Sequence, residues 1–158
     1  MNDYVSITDD NTGLDLTDFT LAAWIRPDTV LVSQWQALIS KSSSPNRPAS
    51  LWLYGDTVQV WFDNTSAIAV SATPVTVGTW QFVAATFDDA TDQVRVYING
   101  ILDAEATTTV VPLFNDAPLV LGQRGDGSFP YRGALDEVTV WNRALSASEI
   151  LGLFNRDR

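Results

Sequence analysis

Asp136 and Glu137 stand side by side in the run Gly133-Ala134-Leu135-Asp136-Glu137-Val138-Thr139-Val140-Trp141. Alternation with period two predicts a strand here, with Val138 and Val140 on the face of Asp136 and that face toward the core. A bare carboxylate on a core face is costly to desolvate, so it must be paired or metal-bound. The chain has no His and no Cys, and calcium takes hard oxygen ligands, so calcium is the metal this acid could hold. The alternative is that Asp136 accepts backbone N–H groups or pairs with Arg143. No EF-hand spacing is present, so loop acids by themselves indicate no metal site.

The aromatic residues form the second chemical set. Strict alternation puts Trp24, Trp52, Tyr54, Trp61, Tyr97 and Trp141 on faces opposite the obvious core residues, while Phe19, Phe62, Phe82 and Trp80 read as internal. An outward Trp needs cover. A sugar ring offers it, because its axial C–H face is weakly apolar and lies well on an aromatic plane. Trp52, Tyr54 and Trp61 fall on one candidate hairpin, with Gln59, Asp63, Asn64, Gln123 and Arg124 available for hydroxyls. Loops or the flank of a second sheet are the other possible cover. Arg47 and Arg124 offer forks of donors that suit a uronate or a sulfate, or a simple salt bridge.

Composition narrows the classes. The chain of 158 residues carries 9 basic and 19 acidic residues, a formal charge of -10. That balance argues against nucleic acid and against an anionic membrane as partners. It also favours a neutral glycan over an acidic one. The absence of Cys excludes disulfides and thiolate metal sites. The absence of His removes imidazole bases, Ser/His/acid triads and most catalytic zinc sites. No apolar run reaches the roughly 18 residues needed to cross a bilayer. No leader precedes Tyr4, and we read the chain as a domain excised from a longer protein.

The elements that must position these residues are mostly strands. Val5 and Ile7 alternate near the start, as do Phe19, Leu21, Ala23 and Ile25. Ala37–Ser40, Leu51–Tyr54, Val58–Phe62, Trp80–Phe87, Val94–Ile98, Leu119–Gly122 and Ala134–Trp141 continue the pattern, with edge-like segments at Val75–Val77 and Val110-Val111. Gly55-Asp56 and Asn99-Gly100 are hairpin turns. Ser148–Phe154 is the one short helical turn, with Ser146 or Ser148 as N-cap. Many short strands with almost no helix predict an all-β, two-sheet antiparallel sandwich or jelly roll. The reading is of one domain over residues 1–158.

Four stretches resemble the laminin G-like, concanavalin A-like domains, especially the bacterial kind fused to secreted glycan-active enzymes. They are Phe19–Pro27, Trp80–Asp88, Val94–Gly100 and Leu135–Ser146, in the family's order. The resemblance implies a curved jelly roll, a calcium ion tied to the strand that holds Asp136, and glycan or protein binding. It implies Asp3 as the acid partner of Asp136, with Asn2 and Asp15 behind it. Some hydrolases of this fold use a Glu-x-Asp-x-Glu strand, and Glu105, Glu137 and Glu149 form no such pattern. Asp136 and Glu137, being adjacent on a strand, are expected to point to opposite faces and not to act together.

The resulting expectation is a non-catalytic, calcium-stabilised carbohydrate-binding module, secreted or at a bacterial cell surface. It would bind a polysaccharide or oligosaccharide through Trp52, Tyr54, Trp61, Gln59, Asp63 and Arg124. It would serve the other domains of its own chain, the parent being a glycan-degrading enzyme. The alternatives are an adhesion or architectural module and a small glycan hydrolase.

Overall fold

Alternating strands that bury one face need a second layer, and the chain supplies it as a second sheet. The computed structural model describes residues 3–9, 13–41, 48–62 and 67–156. Its strands are β1 (Val5–Ile7), β2 (Phe19–Pro27), β3 (Trp35–Ser40), β4 (Ser50–Tyr54), β5 (Thr57–Trp61) and β6 (Ala69–Val70). They continue as β7 (Gln81–Asp88), β8 (Gln93–Ile98), β9 (Ile101–Thr107), β10 (Leu119–Leu121) and β11 (Gly133–Trp141), before helix α1 (Ala147–Arg156). A six-stranded sheet runs β1-β10-β3-β4-β5-β6 and a five-stranded sheet runs β11-β2-β7-β8-β9. Among the described residues every strand pairing is antiparallel, from β1 with β10 to β8 with β9. The fold is therefore the antiparallel jelly-roll sandwich expected, with its short C-terminal helix.

The main core lies between the sheets. Phe19, Leu21, Ala23 and Ile25 of β2 meet Leu51, Leu53, Val58 and Val60 of β4 and β5, with Phe62 and Phe87 closing an aromatic contact on Phe19. Both expected hairpin turns form. Tyr54 pairs with Thr57 across Gly55-Asp56, and Asn99-Gly100, both with positive φ, join β8 to β9. The segments Val75–Val77 and Val110-Val111 are not strands.

A second cluster occupies the outer face of the five-stranded sheet. Ala22, Phe82, Ala84 and Tyr97 are covered there by Leu145, Ile150 and Phe154. Helix α1 thus caps a face that would otherwise expose these rings. Tyr97 and Trp24 do point away from the main core as expected, but Tyr97 is buried and Trp24 stacks on Phe154 at 5.6 Å. Trp80 reverses the expectation: it is 40% exposed rather than internal, because it lies just before β7, outside the ladder.

The face of Asp136 is also the reverse of that expected. β11 pairs Asp136 with Trp24 and Thr139 with Ala22, so Glu137 and Val138 stand opposite the single residue Ala23. This β-bulge, with Glu137 at φ 46°, changes the alternation. Leu135, Val138 and Val140 reach the main core, while Asp136 is exposed on the outer face.

Candidate ligand-binding site

Trp35, Trp52, Tyr54 and Trp61 share the outer face of the six-stranded sheet. The ladder sets Trp35 opposite Tyr54, and Ala37 opposite Trp52, so rings from three adjacent strands gather. Trp35 is their centre. Its ring lies 4.4 Å from Tyr54, 5.1 Å from Trp61 and 6.1 Å from Trp52, the two Trp contacts being edge-on. Phe129, from the loop before β11, meets Trp52 edge-on at 5.8 Å. The sequence reading omitted Trp35 and Phe129. Trp35 precedes the apolar run that marked β3, and Phe129 sits in a Gly/Ser/Pro loop with no periodicity.

The expected ligand residues fare unequally. Tyr54 and Trp61 are half-buried in the platform, whereas Trp52 is only 5% exposed beneath its neighbours. The indole N–H of Trp52 is buried with no partner among the described residues. Gln59 is buried and spends both ends of its amide locally: Trp61 Nε1 donates to its Oε1 at 3.2 Å, and its Nε2 donates to Thr57 Oγ1 at 3.3 Å. Asp63 and Asn64, like Arg47 and Asn2, lie outside the described residues. Arg124 is held by Asp126, with Nε donating to Oδ1 at 3.0 Å, and its guanidinium lies 4.8 Å over Phe129. Arg124, and then Ser128, hold the Asp126 carboxyl well below the usual carboxylate range. Arg124 therefore braces the Phe129 loop.

Beside the platform lies a cavity of about 290 Å³, lined by Leu31, Ser33, Gln34, Trp35, Phe129, Pro130 and Arg132. Its walls are tied down. The buried Gln36 side chain donates to Thr29 O at 3.3 Å and accepts from the Arg132 N–H at 2.8 Å. The Ala37 N–H donates to Phe129 O at 2.9 Å. Ser33 and Phe129 both have positive φ, at 55° and 54°. Two aromatic residues, Trp35 and Phe129, share one opening with Ser33, Gln34 and Arg132. Such a set binds a ring with an apolar face and polar substituents.

The two acids expected to share calcium do not converge. Asp136 lines an outer pocket of about 260 Å³ with Trp24, Trp80 and Glu137, and its Oδ1 accepts the Glu137 N–H at 2.9 Å. Asp3 lines a separate cavity with Leu121, Tyr131, Leu135 and Val138, toward the core side of β11. Asp3 and Asp136 therefore line different cavities. The bulge also brings Asp136 and Glu137 to the same pocket, contrary to the expected opposite facing. Among the described residues, no three His, Cys, Asp or Glu side chains gather as a metal group. Asp15, the weaker calcium candidate, instead contacts Lys41 Nζ at 3.1 Å.

A laminin G-like family profile, described as the Concanavalin A-like lectin/glucanases superfamily, matches residues 1–151. No curated protein is similar enough to match the chain. Several solved structures share the fold. A candidate carbohydrate-binding protein from Bacteroides ovatus ATCC 8483 is 20% identical with a TM-score of 0.72, over 94% of this chain and 43% of its own. Domain 4 of AbnA, a GH43 extracellular arabinanase from Geobacillus stearothermophilus solved with arabinotriose, is 19% identical with a TM-score of 0.69, over 87% and 66%. A heptameric SAP-like pentraxin from Limulus polyphemus is 19% identical with a TM-score of 0.67, over 88% and 70%. At these identities the likeness is one of fold.

Proposed function

Because the chain belongs to the Concanavalin A-like lectin/glucanases superfamily, we propose that it is a non-catalytic carbohydrate-binding module. One observation carries the reading: Trp35 and Phe129 wall an open cavity beside an aromatic platform, with Ser33, Gln34 and Arg132 on its rim. A sugar ring would stack on an exposed part of these walls, and its hydroxyls would meet the rim. Trp52 serves as the buried floor and Tyr54 and Trp61 as the flank. The module would hold its own multidomain chain on a secreted or surface-exposed polysaccharide. A structural relative that is a domain of an extracellular arabinanase supports that setting. Structural calcium at Asp136 is part of the proposal, with Asp3 in a different cavity and so not required as its partner.

Calorimetry against a glycan panel tests the proposal, with Trp35→Ala as the site control. We expect modest affinity for at least one polysaccharide, lost in the variant. Absence of binding to every glycan, with calcium present and absent, would sink it. A second reading, an adhesion or architectural module, draws on the burial of Trp52. It expects no glycan binding and only a loss of stability in Trp35→Ala.

A further inference from the structure

We propose that Arg132 makes the cavity selective for an acidic sugar, read through the carboxylate of a uronate residue. The inference rests on the glycan-binding reading and names its substrate class.

The argument is one of charge placement. Acids outnumber bases 19 to 9, so a basic side chain in this protein is readily matched with a carboxylate neighbour. Lys41, Arg95, Arg124 and Arg143 each pair with one. Arg26 lies over the Trp80 ring at 5.5 Å, and Arg156 is engaged. Arg132 has no ion pair or ring contact for its guanidinium among the described residues, and it is the cation in the lining of the cavity. Asp28, whose N–H donates to Arg132 O at 2.9 Å, forms no ion pair with it.

The backbone of Arg132 is held in the wall of the cavity. Its N–H donates to buried Gln36, and its C=O accepts from Asp28. Arg132 thus lines the same cavity as Trp35 and Phe129, and no carboxylate among the described residues pairs with its guanidinium. A uronate presents a matching pair of features. Its ring face suits an aromatic wall, and its carboxylate takes two parallel N–H bonds from Arg. The negative field of the whole protein opposes any anion, so selectivity must come from this local contact and should weaken in salt.

Calorimetry on the intact chain decides it. The probes are oligogalacturonate, glucuronate-bearing xylan fragments and alginate fragments. Each is compared with its neutral counterpart, made by esterifying or reducing the carboxyl group. We expect at least one acidic probe to bind about tenfold tighter than its neutral form. Arg132→Gln should weaken the acidic form by about tenfold more than the neutral form, so that the preference is lost, and Arg132→Lys should restore part of it. Equal affinity for both forms, or an equal loss for both in Arg132→Gln, overturns the assignment. If Arg132→Gln is poorly folded, the wild-type comparison of acidic and neutral forms still decides. Failure of the glycan reading looks different, since then no acidic or neutral probe binds at all.

Discussion

Asp136 stands directly opposite Trp24 across the β11–β2 ladder, and the very next residue, Glu137, has left-handed backbone geometry at φ 46°. The bulge that follows lets Leu135 and Val138 both face the core, at the expense of strain in a non-glycine residue. Replacing Glu137 by Gly removes the Cβ conflict without touching the N–H that Asp136 accepts. We expect Glu137→Gly to stabilise the fold by about 0.5–1 kcal/mol, read as a higher denaturant midpoint at constant m. A destabilised variant would mean that the Glu137 side chain contributes more than its backbone costs.

Lys41 is the buried cation of the six-stranded sheet's margin. Its Nζ lies 2.7 Å from Asp9 and 3.1 Å from Asp15, and it also donates to Asn115 O. Lys41 and Asp9 side chains are each 2% exposed. Removing the ammonium alone leaves the Asp9 carboxylate buried and unpaired. Lys41→Met should therefore cost about 3–5 kcal/mol. The double variant Lys41→Met/Asp9→Leu should recover much of that loss, because no buried lone charge is left behind, the Asp15 side chain being 39% exposed. Denaturant unfolding of both variants checks the order, and equal instability in the two would refute the charge argument.

Local signals carried most of the architecture. Gly55-Asp56 and Asn99-Gly100 set their hairpins through turn chemistry alone, and the alternation in Phe19–Ile25 identified the core face of β2. Three features were not legible for physical reasons. A bulge inserts one residue and reverses all facing beyond it, so period-two logic misplaced Asp136. The cover over Trp24 and Tyr97 comes from α1, far along the chain, which no local window contains. The cavity is assembled by loops: Ser33, Phe129 and Arg132 owe their positions to Gln36 and to backbone bonds between distant segments. Of the expected ligand residues, Trp52, Tyr54 and Trp61 do lie on one aromatic platform. Gln59 is spent internally and Arg124 is engaged by Asp126.

Trp52 and Trp35 belong to that platform yet should respond differently to truncation. Trp52 is nearly sealed, so Trp52→Ala opens a cavity and should cost about 3–5 kcal/mol. Loss of glycan binding in that variant would then report unfolding as much as contact. Trp35 is half-buried and lines the open cavity, so Trp35→Ala should cost less stability and still lose binding. Thermal unfolding and calorimetry on both variants separate the roles. Retained binding in a folded Trp35→Ala protein would move the site elsewhere.

Glu149 gives α1 a pH-sensitive start. Ser146 N–H donates to its Oε2 at 2.8 Å while Ser146 Oγ accepts the Glu149 N–H at 3.3 Å, a reciprocal capping box. Arg143 adds two bonds, from Nη1 at 3.1 Å and from Nη2 at 2.7 Å. Arg143 first, and then Ser146, bring the Glu149 carboxyl down from its ordinary 4.5 to about 2. A depressed folded pKa gives stability that is present above the unfolded value and lost as pH falls through the folded one. Glu149→Gln should therefore unfold at a lower temperature than the wild type near neutral pH. The gap should shrink as pH drops from about 4.5 to about 2. Phe154 and Ile150 seal Phe82 and Tyr97, so loosening α1 should also expose the Trp24 ring that stacks on Phe154. Trp fluorescence followed through the same pH range supplies the second readout, and a gap in melting temperature that stays constant down to pH 2 would exclude the capping carboxylate as its source.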